Sequence, residues 1–282
     1  MVVLNGKDAA QSIKDDLKKE IDHCKDQFGK QPKLAIIQVG EDKASDIYIR
    51  NKIRSSNEVG VKTTLSKYSE SSNEEEILKA IKFFNEDEYT DGIIVQTPLP
   101  DHISYKNIIS TISPKKDVDG FHSDNMGRMC LDLPGIKPAT ALGVLKLLEH
   151  YDINWEGKNV TVVGRGQHVG LPISIMLGNE DKATVTSCHV NTSDLKEKTI
   201  SADIIICAVG KQNMITEDMV KEGSVIVDVG INRNSEGKLC GDVDYDNLKH
   251  KVSAMTPVPN GVGPMTVASL LLNVLHAFKQ KL

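Results

Sequence analysis

The sequence predicts an α/β protein of two lobes, and three observations carry that expectation. Apolar runs of strand length alternate with stretches of helical periodicity along the whole chain. A β-branched run, Val160 to Val163, ends in glycines spaced G-x-G-x-x-x-G at 164, 166 and 170, followed by Pro172 and the apolar run Ile173 to Leu177. The length of 282 residues suits two ordinary domains or one large one, each with room for a core.

The first half opens with Ala9, Ile13, Leu17, Ile21 and Cys24 at helical spacing, which predicts a helix over about 7–28. Pro32 closes the following loop, and Leu34 to Val39 is an apolar run expected of a strand covered on both faces. A helix is expected over about 45–59, stopped by Gly60, then a strand over 62–68. Ile77, Leu78, Ile81 and Phe84 mark the next helix, and Gly92 to Gln96 the third strand. Strand and helix alternate, so the sheet is expected to be parallel. Residues 133–140, with Pro134, Gly135 and Pro138, read as a linker, and Thr140 as the cap of a helix bearing Val144, Leu147 and Leu148.

The second half repeats the rhythm, with strands expected at 160–163, 183–187, 203–208 and 224–229. At the opening turn Gly164 lets the chain reverse, Gly166 removes a Cβ where a pyrophosphate would approach, and Gly170 lets the helix lie close to the strand. This predicts a Rossmann-type dinucleotide-binding domain in the C-terminal lobe, although the same glycines also suit a turn without a ligand. An NAD site usually carries Asp or Glu after the second strand, whereas here Cys188-His189-Val190-Asn191-Thr192 stands there. Arg165 lies inside the turn, so a 2′-phosphate, and hence NADP, is expected; a solvated surface arginine is the other reading. Residues 256–266 hold three prolines and two glycines, a stiff loop that either connects domains or lines a cleft. Leu270, Leu271, Val274, Leu275 and Phe278 give a final amphipathic helix.

Composition narrows the function. A net charge of −5 gives no footprint for nucleic acid. No apolar run is read as spanning a bilayer, and the first residues lack the pattern of a signal peptide. The five cysteines are scattered with no C-x-x-C pair, which points to a reducing, cytoplasmic setting without zinc.

Five residues invite chemistry. Tyr48 and Lys52 lie four apart on one helix face, beside Ile47, Ile49 and Ile53. Burial disfavours a lysine's charged form, and a fall of about three units from about 10.4, worth ~4 kcal/mol, suits acid–base work. A solvated lysine face, with Arg50 and Arg54 close by, is the plainer reading. Gln96 ends a strand, where ligands sit in open α/β sheets, and is equally a turn-capping amide. Asp117 and Asp119, one residue apart before Gly120, suit a turn better than a metal site, since no further acids gather near them.

Six segments together resemble the bifunctional methylenetetrahydrofolate dehydrogenase/methenyltetrahydrofolate cyclohydrolase family: 48–52 (Tyr-Ile-Arg-Asn-Lys), 91–100 (Asp-Gly-Ile-Ile-Val-Gln-Thr-Pro-Leu-Pro), 116–122, 162–172, 183–189 and 256–266. The resemblance implies a folate-binding catalytic domain from 1–137 with 264–282, an NADP-binding domain from 138–263, and a cleft between the lobes. It implies oxidation of 5,10-methylenetetrahydrofolate with NADP, then hydrolysis of the methenyl product to 10-formyltetrahydrofolate. It implies Lys52 as the proton-handling amine, Gln96 as its hydrogen-bond partner, Tyr48 stacked on the folate ring and Asp119 on the pterin N–H groups. Val95, Thr97 and the loop Pro259, Asn260, Gly261, Val262 and Gly263 would line the folate site, and Gly164, Arg165, Gly166 and Ile231 would contact NADP. A homodimer through the cofactor lobe is also implied. The chain departs from the family pattern at Gly166, where serine is usual, at Asn260, where glycine is usual, and at Val190, where serine often stands; 138–143 matches a Pro-Cys-Thr-Pro-x-Gly motif imperfectly. Two other readings remain: a different two-lobed dehydrogenase of the shikimate or amino-acid type, and a non-catalytic dinucleotide-binding module.

Overall fold

The computed structural model describes residues 1–179 and 182–282, and the side chains of all of these except residues 43 and 44. From the N-terminus the chain runs β1 (Val2–Val3), α1 (Gly6–Phe28), β2 (Lys33–Val39), α2 (Lys43–Val59), β3 (Lys62–Tyr68), α3 (Glu74–Glu86), β4 (Gly92–Val95), α4 (Tyr105–Thr111), α5 (Ser123–Cys130) and α6 (Ala139–His150). It continues through β5 (Asn159–Val163), α7 (Gly170–Gly178), β6 (Thr184–Cys188), α8 (Leu195–Ile200), β7 (Ile204–Cys207), β8 (Val225–Asp228), β9 (Asn232–Arg233), β10 (Leu239–Cys240), α9 (Tyr245–Leu248), β11 (Ala254–Met255) and α10 (Val262–Lys279). Two compact units result: Met1–Ala10 with Thr140–Thr266, and Gln11–Ala139 with Val267–Leu282.

The second of these holds a parallel sheet in the order β3-β2-β4. Its central strand shows why an unbroken apolar run makes a doubly covered strand. Successive side chains point to opposite faces, so Leu34 and Ile36 pack with Leu17, Ile21, Leu271 and Val274, while Ala35, Ile37 and Val39 pack with Ile77, Ile81 and Ile108. Asp42 caps α2 by accepting from Ser45 N–H, and Gly60, at φ 89°, ends it in the left-handed conformation that glycine adopts without strain. Lys116 is buried, and its Nζ donates to the carbonyls of Phe84, Asn85 and Asp87 at 2.9, 2.8 and 2.8 Å. The carbonyls that end a helix lack intrahelical donors and so accept from the ammonium, while burial and then the charge of Lys281 pull that amine below its ordinary range.

The other unit holds a parallel sheet in the order β1-β11-β8-β7-β5-β6. The chain passes from β5 to β6 on one side, then to β7 on the other, so the strand order reverses at β5. In open α/β sheets that reversal opens a ligand crevice at the carboxyl ends of the strands. Val2 pairs with Ala254 and Val3 with Met255. Residues 1–10 therefore belong with this sheet and not with 11–137; a two-residue strand carries no periodicity to announce it.

Three expectations are corrected. α6 begins at Ala139, so Thr140 lies within its first turn and is not the cap. The stiff loop ends at Gly261, because α10 starts at Val262; Pro264 sits in its first turn, where a missing N–H has no partner to lose. With this earlier start, α10 becomes long and apolar enough to cross a membrane by length and composition, with 61% of it buried. Its Leu270, Leu271, Val274, Leu275 and Phe278 side chains belong to the core around β2.

Candidate active site

In the three-stranded unit, β4 delivers Gln96 to the carboxyl end of the sheet, where its N–H donates to Ile37 O at 2.8 Å. Both ends of its amide are engaged. Oε1 accepts from Lys52 Nζ at 3.1 Å, and Nε2 donates to the Thr97 carbonyl at 2.7 Å. Gln96 thus caps the turn, and the same amide reaches Lys52. The Thr97 carbonyl also accepts from Ser45 Oγ at 3.2 Å, which ties the start of α2 to the same turn. A second tie joins β2 to α2, where Gln38 Nε2 donates to Asp46 Oδ1 at 2.9 Å. Neither Ser45 nor Gln38 stands out in the sequence, because each acts through partners on other elements.

Lys52 is half-buried, and Tyr48, one turn earlier on α2, is 41% exposed. Of the three isoleucines expected to shield the lysine, Ile49 is buried and Ile53 partly so, but Ile47 faces solvent at 48%. Val95 is buried in the core, which leaves its main chain for a ligand, while Thr97 is exposed.

The paired acids divide their work. Asp117 is fully buried and accepts from Gly120 N–H, His122 N–H and Asn125 Nδ2 at 3.2, 2.7 and 3.0 Å, which builds the turn. Asp119 is half-buried, and its main-chain carbonyl accepts from Ala139 N–H at 3.2 Å. Burial, followed by the charges of Asp119 and Asp117, pushes the Tyr105 phenol above its ordinary range. Among the described residues no three His, Cys, Asp or Glu side chains form a metal-holding group.

In the six-stranded unit, the glycines after β5 separate by role. A Cβ on Gly164, whose φ is 103°, would lie 2.1 Å from Ala208 O, and one on Gly170 would lie 1.6 Å from Gly164 O. Both are dictated by backbone packing. A Cβ on Gly166 would meet nothing within 4 Å, so the turn opens at that residue. Arg165 and Gly166 are exposed, and Ile231, beyond the end of β8, is 51% exposed. Val169, at the head of α7, supplies no side-chain cap. An open glycine turn, a cation and a helix start without a side-chain cap suit a dinucleotide's phosphates. Pro259, Asn260 and Gly263 are exposed, whereas Gly261 and Val262 are buried. Asn260 takes φ 74°, a left-handed conformation that asparagine tolerates, so the turn survives the loss of glycine there.

Behind this edge Asp228 is buried, accepting from the N–H groups of Gly230, Asp242 and Val243. Burial pushes its carboxyl up to about 6 from 3.8, against those N–H groups and with the charge of Asp242. Since the folded value lies above the unfolded one, its stabilising contribution is complete below about pH 4 and is lost as pH rises through about 6. Two units amount to ~3 kcal/mol, of which ~1.4 kcal/mol falls between about pH 5 and pH 7.5. In urea titrations at those two pH values, the parent loses this increment relative to Asp228→Asn. Equal slopes in both proteins would remove Asp228 as its source.

A parallel sheet whose order reverses at a glycine turn, together with a lysine–amide pair at the end of a second parallel sheet, marks an α/β oxidoreductase that uses a dinucleotide. Comparison with known proteins narrows this. Residues 4–119 match the catalytic domain of tetrahydrofolate dehydrogenase/cyclohydrolase, and residues 138–282 match its NAD(P)-binding domain. The chain belongs to the tetrahydrofolate dehydrogenase/cyclohydrolase family. It is 50% identical to the bifunctional protein FolD of Sulfurihydrogenibium sp. (strain YO3AOP1), over 100% of this chain and 99% of that one. The crystal structure of the bifunctional FolD dehydrogenase/cyclohydrolase from Campylobacter jejuni superposes with a TM-score of 0.97 at 44% identity, covering 100% of both chains. The Trypanosoma brucei dehydrogenase-cyclohydrolase, complexed with NADP cofactor and inhibitor, gives 0.95 at 33% identity, over 99% of this chain and 98% of that one.

Proposed function

We infer that this chain oxidises 5,10-methylenetetrahydrofolate to 5,10-methenyltetrahydrofolate with NADP, and then hydrolyses that cation to 10-formyltetrahydrofolate. The Lys52–Gln96 hydrogen bond carries the reading, because it joins two motifs 44 residues apart into one proton-handling group. In the hydrolytic step water adds to the methenyl carbon and releases one proton, and its second proton passes from the resulting hydroxyl to the ring nitrogen as the carbon–nitrogen bond breaks and the formyl C=O forms. Lys52 handles these protons, and Gln96 aims the amine. Tyr48 offers its exposed ring to the folate, and Asp119 offers a carboxylate to the N–H groups of the pterin. Thr97 and the main chain at Val95 add to the folate contacts of this unit.

NADP, when bound, supplies the hydride acceptor at C4 of its nicotinamide. Gly164, Arg165, Gly166 and Ile231 hold it, with Arg165 facing the 2′-phosphate. The protein works as a cytoplasmic homodimer joined through the cofactor-binding unit, without nucleic-acid or membrane partners, and supplies a formyl donor to purine biosynthesis. The net charge of −5 supports the absence of a polyanion partner. An absorbance assay with methylenetetrahydrofolate tests the reading: NADP is reduced and the methenyl compound is then consumed. Reduction of neither NADP nor NAD would reject it.

A further inference from the structure

Asp242 is fully buried at the edge where the cofactor reading places NADP. Its Oδ2 accepts from Val209 N–H at 2.6 Å and Gly210 N–H at 3.0 Å, and its Oδ1 from Lys211 N–H at 2.9 Å. Three successive N–H groups of one loop thus converge on one side chain. Such a concavity binds anions, and here the chain fills it with its own carboxylate. Oδ1 also accepts from Asn232 Nδ2 at 2.8 Å, next to Ile231. A single carboxylate therefore fastens the loop leaving β7 and the loop leaving β8.

Two features fix that carboxylate. A Cβ on Gly230 would lie 2.1 Å from Asp242 Cγ, and one on Gly241 would lie 1.9 Å from Asp228 Oδ2, so each aspartate packs against a glycine in the other's segment. Asp228 Oδ1 in turn accepts from Asp242 N–H at 3.0 Å. The tethered β7 loop also borders the dinucleotide turn, since Ala208 O is the atom that a Cβ on Gly164 would strike.

We propose that Asp242 is a positioning residue for NADP: it holds the loops after β7 and β8 at the spacing that the dinucleotide needs, without touching the folate chemistry. The inference rests on the NADP reading above. In Asp242→Asn the amide turns an N–H toward the backbone N–H groups it should accept from. The KM for NADP then rises about tenfold or more, while kcat and KM for hydrolysis of methenyltetrahydrofolate, which needs no nucleotide, stay within about twofold. Asn232→Ala leaves the three backbone donors in place and gives a smaller rise, about threefold. It keeps the test open should Asp242→Asn not fold. An unchanged KM for NADP in the variants that fold, or loss of both activities in proportion, would overturn the inference. A parent that reduces no nicotinamide would instead overturn the cofactor reading, and this inference with it.

Discussion

Lys52→Met is expected to lower hydrolysis of 5,10-methenyltetrahydrofolate by about 10²–10⁴-fold, the span over which a positioned acid–base group acts. Methionine keeps the length and apolar stem of the lysine and removes only the amine. Gln96 remains tied to the Thr97 carbonyl through Nε2, so the turn after β4 should survive the change. The dehydrogenase step depends on alignment of two bound molecules more than on a proton-transfer group. Its rate should fall by about tenfold at most, and folate should still bind. Stopped-flow loss of the methenyl absorbance, beside steady-state NADP reduction, separates the two activities. Full cyclohydrolase activity in the variant would remove Lys52 from the mechanism.

The amide geometry explains why the amine alone matters. A glutamine can present either end to a neighbour, but here its donor end is occupied by Thr97 O, so its acceptor end faces Lys52. Ser45 bonds to the same carbonyl from α2, the helix that carries the lysine. The helix and the strand end that make the pair are thereby held to one another at the site.

How much of this was legible depended on the range of each interaction. Leu34 to Val39 announced a doubly covered strand because alternate side chains supply two cores, and that signal is local. β1 and β11 are two residues each, and β1 is held by a pairing across 252 positions, Val2 with Ala254, while β11 pairs with both β1 and β8, so no window of sequence reveals them. α4 and α5 span seven and eight residues, too short for a helical period to stand out. The same contrast runs through the site. Tyr48 and Lys52 share a helix face by spacing, whereas Asp242 works through partners 31 to 33 positions away. A carboxylate beside Gly241 after a strand was the available signal, yet a solvent-facing turn reads identically. Ile47 shows the opposite error: nearness to Lys52 in sequence suggested shielding, but five residues along a helix turn through about 500°, which leaves the two about 140° apart, and Ile47 faces water.

Gly170→Ala should cost more than any other single methyl group in the cofactor-binding unit. The added carbon would lie 1.6 Å from Gly164 O, a main-chain atom in a turn already fixed by Gly164 N–H donating to Cys188 O at 3.0 Å. Neither side can yield without moving α7 away from β5, so a loss of at least about 3 kcal/mol in stability is expected. Moving the helix start also displaces the turn from Gly164 to Gly166, because Leu171 N–H donates to Gly166 O at 3.0 Å, so NADP reduction should fall by about a hundredfold or more in whatever protein folds. Gly166→Ser is the control, since its Cβ meets nothing within 4 Å. Its stability should stay within about 0.5 kcal/mol of the parent, as at an unpacked surface site. Urea denaturation and NADP titration of both variants decide between the two kinds of glycine. If Gly170→Ala matched the parent in both measurements, close packing of helix on strand would not be what that position requires. If Gly166→Ser destabilised the fold as Gly170→Ala does, the turn would not be open at 166, and the phosphate reading of that residue would go with it.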